Sequence, residues 1–244
     1  MSSMRYWFCA GAPIPGSVVQ AARSLFPSCS VLSLYGRSEN MTTTMCGPDD
    51  EPERSATSDG HALPGAEIRV VDADGDEVEA GESGDIAYHG PSHMLGYYDD
   101  PVETAKLYTA DGFSRSGDLG VMDADGFVRV NGRIKDIIIR GGINVSSREV
   151  EDLLIQHPAV HDVAVVAMPD SRLGERSCAY VVAEPGTDPT LQELTDFLRS
   201  KEIAVQKLPE RLELIDALPM TAIGKVRKNV LRDDIAAKLQ AEAG

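Results

Sequence analysis

Gly132-Arg133-Ile134-Lys135-Asp136-Ile137-Ile138-Ile139-Arg140-Gly141-Gly142-Ile143-Asn144-Val145 decides how the rest of this chain is read. Arg133, Lys135 and Asp136 crowd ahead of a short β-branched run, Ile137-Ile138-Ile139. That run is apolar, brief and closed by glycine, so it reads as a strand. Gly141-Gly142 allows backbone geometry that a Cβ resists, so the strand leads into a turn. Nothing in a core requires the charges that precede it. By itself the stretch is equally a polar loop before a hairpin, and its meaning depends on its surroundings.

Downstream the pattern is α+β. Ser146-Ser147-Arg148-Glu149 fits a capping box ahead of an apolar face made by Val150, Leu153 and Leu154, and Pro158 ends that helix. Residues 163–168 and 178–182 are strands of the buried type. Thr190 and Glu193 cap a second helix carrying Leu191, Leu194 and Leu198, and Leu231, Ile235 and Leu239 mark a final amphipathic helix.

Upstream the signal is short strands and tight turns. Asp123-Ala124-Asp125-Gly126 and Asp72-Ala73-Asp74-Gly75-Asp76 carry Asp-Gly turn chemistry. The second resembles part of a calcium loop, but its glycine falls one place early and no bidentate glutamate follows at the needed distance. Residues 62–134 are therefore expected to form a small β-barrel-like subdomain. Earlier still, residues 5–9 and 31–35 read as strands around a helix bearing Val18, Val19, Ala22, Leu25 and Phe26. Strand–helix–strand is the repeat of a parallel sheet. One such unit cannot cover both faces, so residues 1–61 read as the remnant of a larger α/β subdomain. The expected class is α/β followed by α+β, with the join at Lys135 and an α+β domain over residues 136–244.

The 244 residues are 42% hydrophobic and 25% charged, a globular composition. A net charge of −16 argues against nucleic acid or an anionic membrane surface as partner. No apolar run approaches the ~20 residues of a spanning helix. Met1 to Tyr6 has neither the charged start nor the apolar core of a signal peptide. Cys9, Cys29, Cys46 and Cys178 are scattered without a CxxC pair, as expected of free thiols in the cytoplasm.

Four polar clusters stand out: Tyr35-Gly36-Arg37-Ser38-Glu39, Ser114-Arg115-Ser116-Gly117-Asp118, Gly132-Arg133-Ile134-Lys135, and Pro219-Met220-Thr221-Ala222-Ile223-Gly224-Lys225. Each alone is explained by a turn, a cap or a solvated loop. In this order, with the glycine-rich blocks of residues 81–104, the set resembles the adenylate-forming (ANL) superfamily of acyl-CoA synthetases, aryl-CoA ligases, luciferases and adenylation domains. The resemblance runs from about Tyr6 to the C-terminus. Its wording is nearest to bacterial short- and medium-chain fatty-acid and cyclohexanecarboxylate CoA ligases. It implies that residues 1–134 belong to an AMP-binding domain and that residues 136–244 are its C-terminal lid domain.

The resemblance also implies roles. Asp118 matches the ribose-binding aspartate, and a carboxylate, being acceptor-only, can take both ribose hydroxyls. Arg133 matches a ribose and phosphate contact suited to a rigid fork. Gly11, Ala12, Pro13 and Tyr35 match the adenine slot, and Gly36, Ser38 and Val130 fall among the other nucleotide contacts. Glu39 matches an acidic catalytic residue that helps hold Mg²⁺, a cation preferring oxygen ligands. Lys225 matches the lysine that stabilises charge building on the α-phosphate during adenylation. Lys135 matches the hinge, and Gly141 and Gly142 the loop lining the coenzyme A tunnel. Ser38 and Ser116 stand where threonine is usual, which preserves the hydroxyls.

The implied activity is AMP-forming ligation of a short- or medium-chain fatty or alicyclic acid to coenzyme A, with ATP and Mg²⁺. Aryl-acid and peptide-synthetase adenylation domains are rivals in the class, the second disfavoured with no carrier domain after Gly244. A non-catalytic binding or assembly fragment is the rival outside it, and a homodimer is among the assemblies allowed. Family members are about twice this long. Their phosphate loop and most of the acyl pocket are expected upstream of residue 1, so the chain alone is expected to be inactive.

Overall fold

β1 (Tyr6–Cys9) and β2 (Ser30–Tyr35) run parallel, joined through α1 (Gly16–Leu25). This is the strand–helix–strand unit that the apolar spacing predicts. The computed structural model describes residues 3–11, 16–222 and 224–243. By its internal contacts the chain divides into two units, Met1–Ile134 and Lys135–Gly244.

In the first unit, Val19 and Ala22 of α1 pack with Val31 of β2. Val18 and Leu25, which share the helical spacing of that apolar set, are 51% and 73% exposed. Neighbouring helix residues point about 100° apart, so Val18 and Val19 cannot both face a narrow sheet. β3 (Thr44–Met45), α2 (Arg54–Thr57) and β4 (His61–Ala62) follow, and the sheet order is β1-β2-β3-β4. Ala62 pairs with Thr44, so this sheet reaches one residue past 61.

The next sheet is an antiparallel meander of β5 (Glu67–Val71), β6 (Ser83–His89), β7 (Ser114–Met122) and β8 (Val128–Arg133), with α3 (Pro101–Leu107) between β6 and β7. Ile68, Ile86, Tyr88 and Val128 form one cluster, and Val71, Ala87 and Phe113 another. Both Asp-Gly stretches are turns held by their leading aspartate. Asp72 Oδ1 accepts the amides of Asp74, Gly75 and Asp76, and Asp123 Oδ1 those of Asp125 and Phe127.

The second unit contains β9 (Ile137–Arg140), β10 (Ile143–Ser146), α4 (Ser147–Leu154), β11 (Val160–Asp170), β12 (Gly174–Ala183), α5 (Leu191–Ser200), β13 (Arg211–Leu214) and α6 (Lys228–Ala243). β12 pairs with β11 along its length, with β13 in parallel, and with β9 at Gly174. Strand side chains alternate between faces. Val163, Val165, Ala179 and Val181 therefore pack with Val150, Leu154, Leu194 and Leu198 of α4 and α5. Ala164, Val166, Met168, Cys178 and Tyr180 pack with Leu231 and Ile235 of α6. Each fully buried leucine contributes roughly 1.5–3 kcal/mol by leaving water. Ser146 caps α4, and Thr190 and Glu193 form the reciprocal box on α5. No helix of the described residues is long and apolar enough to cross a membrane.

Candidate functional site

The first unit holds two of the four polar clusters whole, together with Gly132, Arg133 and Ile134 of a third. β2 ends at Tyr35, and residues 36–43 loop back into β3, closed by Thr43 N–H on the Tyr35 carbonyl at 2.9 Å. Gly36 is required there: a Cβ would stand 1.9 Å from the Met41 carbonyl oxygen. Met41 itself takes a positive φ of 59° to complete the turn.

β7 carries a bulge beside this loop. Its register against β6 shifts between Asp85 and Ala87, and Gly117 takes φ 68°. Bulges of this kind re-aim the side chains that follow them. The Asp85 carboxylate fills the bulge and is only 4% exposed. It accepts from Gly117 N–H at 2.9 Å, Ser116 Oγ at 3.2 Å and Arg115 Nε at 2.9 Å. Asp118, next along, is thereby directed toward Tyr35 and β8.

The Asp118 carboxylate is buried and shared. Tyr35 donates its hydroxyl to Oδ2 at 2.7 Å, and Arg133 Nε lies 2.7 Å from Oδ1. Burial, followed by the Asp118 charge, holds the Tyr35 phenol far above its ordinary pKa. The Arg133 side chain remains 46% exposed. A guanidinium bound through Nε retains terminal donors for another oxygen ligand.

Arg37 ties the two loops together. Its guanidinium donates to the carbonyls of Ser114 (2.8 Å) and Arg115 (2.6 Å) and to Ser114 Oγ. Its Nε is buried without a partner. Glu39 accepts the Tyr97 hydroxyl on Oε1 at 2.8 Å, and that bond raises the Tyr97 pKa. No group of three or more His, Cys, Asp or Glu among the described residues is arranged around a metal position. Mg²⁺ is commonly held by one or two carboxylates together with substrate phosphates, so Glu39, with one oxygen engaged, fits such a role.

The other site candidates are dispersed. Gly11 follows β1 with φ 86° and open space around it, whereas Ala12 and Pro13 lie outside the described residues. Ser38 is exposed. Val130 packs against the core of the meander, and its amide donates to Asp59 Oδ2 at 2.9 Å. Asp85, Asp59 and Arg37 escaped the sequence reading as structural anchors. Asp85 carries a signal in its Gly84-Asp85 block and Arg37 in the Tyr35–Glu39 cluster, whereas Asp59 carries none.

The second unit carries the remaining candidates. Gly141 and Gly142 form the two-residue turn joining β9 to β10, with φ of 59° and 85°. Positive φ at both positions marks a type I′ hairpin. Lys135 sits in a 3-10 turn, Ile134–Asp136, that leads into β9. Lys225 is exposed on a narrow loop where Met220 bridges Val226, Thr221 N–H meets the Lys225 carbonyl at 2.8 Å, and Lys225 N–H meets Thr221 Oγ1 at 3.0 Å.

Two family models match the chain: AMP-binding enzyme over residues 1–98, and AMP-binding enzyme C-terminal domain over residues 149–225. A medium-chain fatty-acid–CoA ligase of Escherichia coli (strain K12) is 43% identical over 98% of this chain and 42% of its own length. A 2,3-dihydroxybenzoate-AMP ligase of Bacillus subtilis (strain 168) is 37% identical over 99% of this chain and 44% of its own. The crystal structure of ATP-bound MatB from Rhodopseudomonas palustris superposes with a TM-score of 0.87 at 33% identity, covering 95% of this chain and 45% of that one. The chain thus spans less than half the length of these relatives.

Proposed function

The chain belongs to the AMP-binding enzyme family of the adenylate-forming superfamily, and on that premise we propose that its residues serve an AMP-forming carboxylic acid–CoA ligase. In the first half-reaction a carboxylate oxygen attacks the α-phosphorus of ATP and the bond to pyrophosphate breaks. In the second, the coenzyme A thiol attacks the acyl carbon, loses its proton and expels AMP.

The observation that carries this reading is the buried Asp118 carboxylate flanked by Tyr35 and Arg133. An acceptor-only group held in place by two donors suits a pair of ribose hydroxyls, and the exposed edge of Arg133 suits a phosphate oxygen. Glu39 would hold Mg²⁺, which supplies charge neutralisation on the departing phosphates when bound. Lys225, on its exposed loop, would place an ammonium on the α-phosphate as negative charge develops. Gly141 and Gly142 would admit the coenzyme A arm past a backbone without Cβ atoms. With four free cysteines, a cytoplasmic setting accords with this chemistry.

A short- or medium-chain fatty or alicyclic acid is the proposed substrate, supported by the 43% identity to a medium-chain fatty-acid–CoA ligase. A second reading, an aryl acid, is favoured by the 37% identity to a dihydroxybenzoate-AMP ligase. Calorimetric titration with AMP tests the nucleotide site directly. A Kd near the millimolar range, equivalent to about 4 kcal/mol, is expected, and Asp118→Ala should abolish it. Absence of AMP binding would sink the proposal. In a full-length version, ATP–pyrophosphate exchange with octanoate, cyclohexanecarboxylate and 2,3-dihydroxybenzoate separates the two substrate readings.

A further inference from the structure

An ion pair ties the backbone down on each side of the junction between the two units. Upstream, Arg133 is the last residue of β8. It pairs with Asp118 in the ladder, and its Nε lies 2.7 Å from Asp118 Oδ1. Downstream, Arg232 of α6 donates to the Lys135 carbonyl at 3.3 Å and closes an ion pair with the Asp136 carboxylate, which is 15% exposed. β9 starts at the next residue, Ile137, already paired with Ser146. Only Ile134 and Lys135 lie between the two clamps. Each residue has two soft backbone torsions, so four remain free there.

The helix that supplies the downstream clamp also sets the loop bearing Lys225. Lys228 at the start of α6 pairs with Glu151 of α4 at 2.7 Å and donates to Ser147 Oγ at 2.8 Å. Arg227 N–H donates to the Pro219 carbonyl at 2.7 Å, closing the base of that loop. Hydrogen bonds and ion pairs thus link the base of the Lys225 loop, α6 and Asp136.

We propose that Arg232 and Asp136 are positioning residues that confine reorientation of the two units to Ile134 and Lys135. The proposal rests on the reading above, in which Lys225 acts in one half-reaction and the Gly141–Gly142 turn in the other. Without the clamp, the same rotation spreads over more bonds, and Lys225 is delivered over a wider range of positions. An ion pair fits this task because it holds the end of a hinge without filling the space the hinge sweeps.

The experiment is a pulsed electron–electron distance measurement on the full 244-residue chain. Spin labels are attached at Glu82→Cys in the first unit and Ser200→Cys in the second, both exposed, in a Cys9→Ser background. Arg232→Ala and Asp136→Ala should each broaden the distance distribution about twofold. The reciprocal exchange, Arg232→Asp with Asp136→Arg, should narrow it again. Arg211→Ala, which breaks a different ion pair to α6 (Glu242, 2.6 Å), should leave the width unchanged. An unchanged width in Arg232→Ala, a failed rescue by the exchange, or equal broadening in Arg211→Ala would each overturn the proposal. Addition of AMP reads the underlying function separately. It should move the mean distance, and a fixed mean counts against alternation of the units while the width still reports the clamp.

Discussion

Tyr35 donates its hydroxyl to Asp118 across 2.7 Å, joining residues 83 positions apart, one ending β2 and the other following the bulge in β7. The acceptor is a buried carboxylate, and hydrogen bonds to charged groups contribute more than neutral ones. Tyr35→Phe should therefore cost about 1.5–3 kcal/mol of stability, read from urea midpoints. Burial and the Asp118 charge raise the Tyr35 pKa. A raised pKa gives stability that is complete below the ordinary tyrosine value and is lost only as pH climbs through the folded value. The cost should then be flat between about pH 6 and 9. A cost that fades within that window would mean the phenol ionises and the bond is not as described.

Gly36 and Gly142 predict a contrast. A Cβ on Gly36 meets the Met41 carbonyl at 1.9 Å, whereas one on Gly142 meets nothing within 4 Å. Gly142→Ala should cost only the left-handed backbone strain, about 1–2 kcal/mol. Gly36→Ala must displace backbone and should cost about 1–3 kcal/mol or more, with loss of AMP binding because Tyr35 precedes the loop and Glu39 lies in it. Equal, mild effects on melting and on AMP titration would show that the loop yields.

Glu151 and Lys228 form a largely buried pair, with both side chains 16% exposed. Glu151 also accepts the Val165 amide at 2.6 Å. Burial raises the Glu151 pKa, and Lys228 opposes that rise. Lys228→Met should cost about 3–5 kcal/mol, because it strands a buried carboxylate. Adding Glu151→Gln should recover part of that loss, since the amide oxygen can still accept from Val165. A carboxylate raised above its unfolded pKa contributes stability below the unfolded value and loses it as pH rises through the folded one. The Lys228→Met variant should accordingly regain stability as the pH falls from neutral, and urea denaturation at several pH values measures it. Additive costs with no pH trend would refute the pairing.

Residues 135–244 should fold alone. The unit has its own sheet, helices on both faces and two separate apolar clusters. That is a sufficient core for a domain of about a hundred residues. Expressed by itself, it should give a dispersed amide spectrum and a cooperative melt. A collapsed spectrum would refute this prediction.

Much of the second unit was legible in the sequence because its signals are local. Ser146 and Thr190 cap helices whose first turns lie within three residues of them. The buried runs in β11 and β12 are legible as strands, although which of their residues face α4 and α5 and which face α6 follows from the packing. The Asp-Gly turns at residues 72–76 and 123–126 were legible for the same reason. β3, β4, β10 and β13 have no strand signal of their own. They are short, between two and four residues, and each is defined by its pairing with a neighbouring strand.

For the site, the chain order itself determined which residue types were available: a tyrosine at a strand end, an aspartate after Ser-Gly, an arginine before the turn at Lys135. Their contacts were decided by tertiary structure. Asp85 reaches Gly117 across 32 positions, Arg37 reaches Ser114 across 77, and Arg232 reaches Asp136 across 96. Caps and turns are written in adjacent residues because their hydrogen bonds span a few bonds of chain. The partner of a buried charge depends on strand register and helix docking, which exist only once the apolar faces have packed.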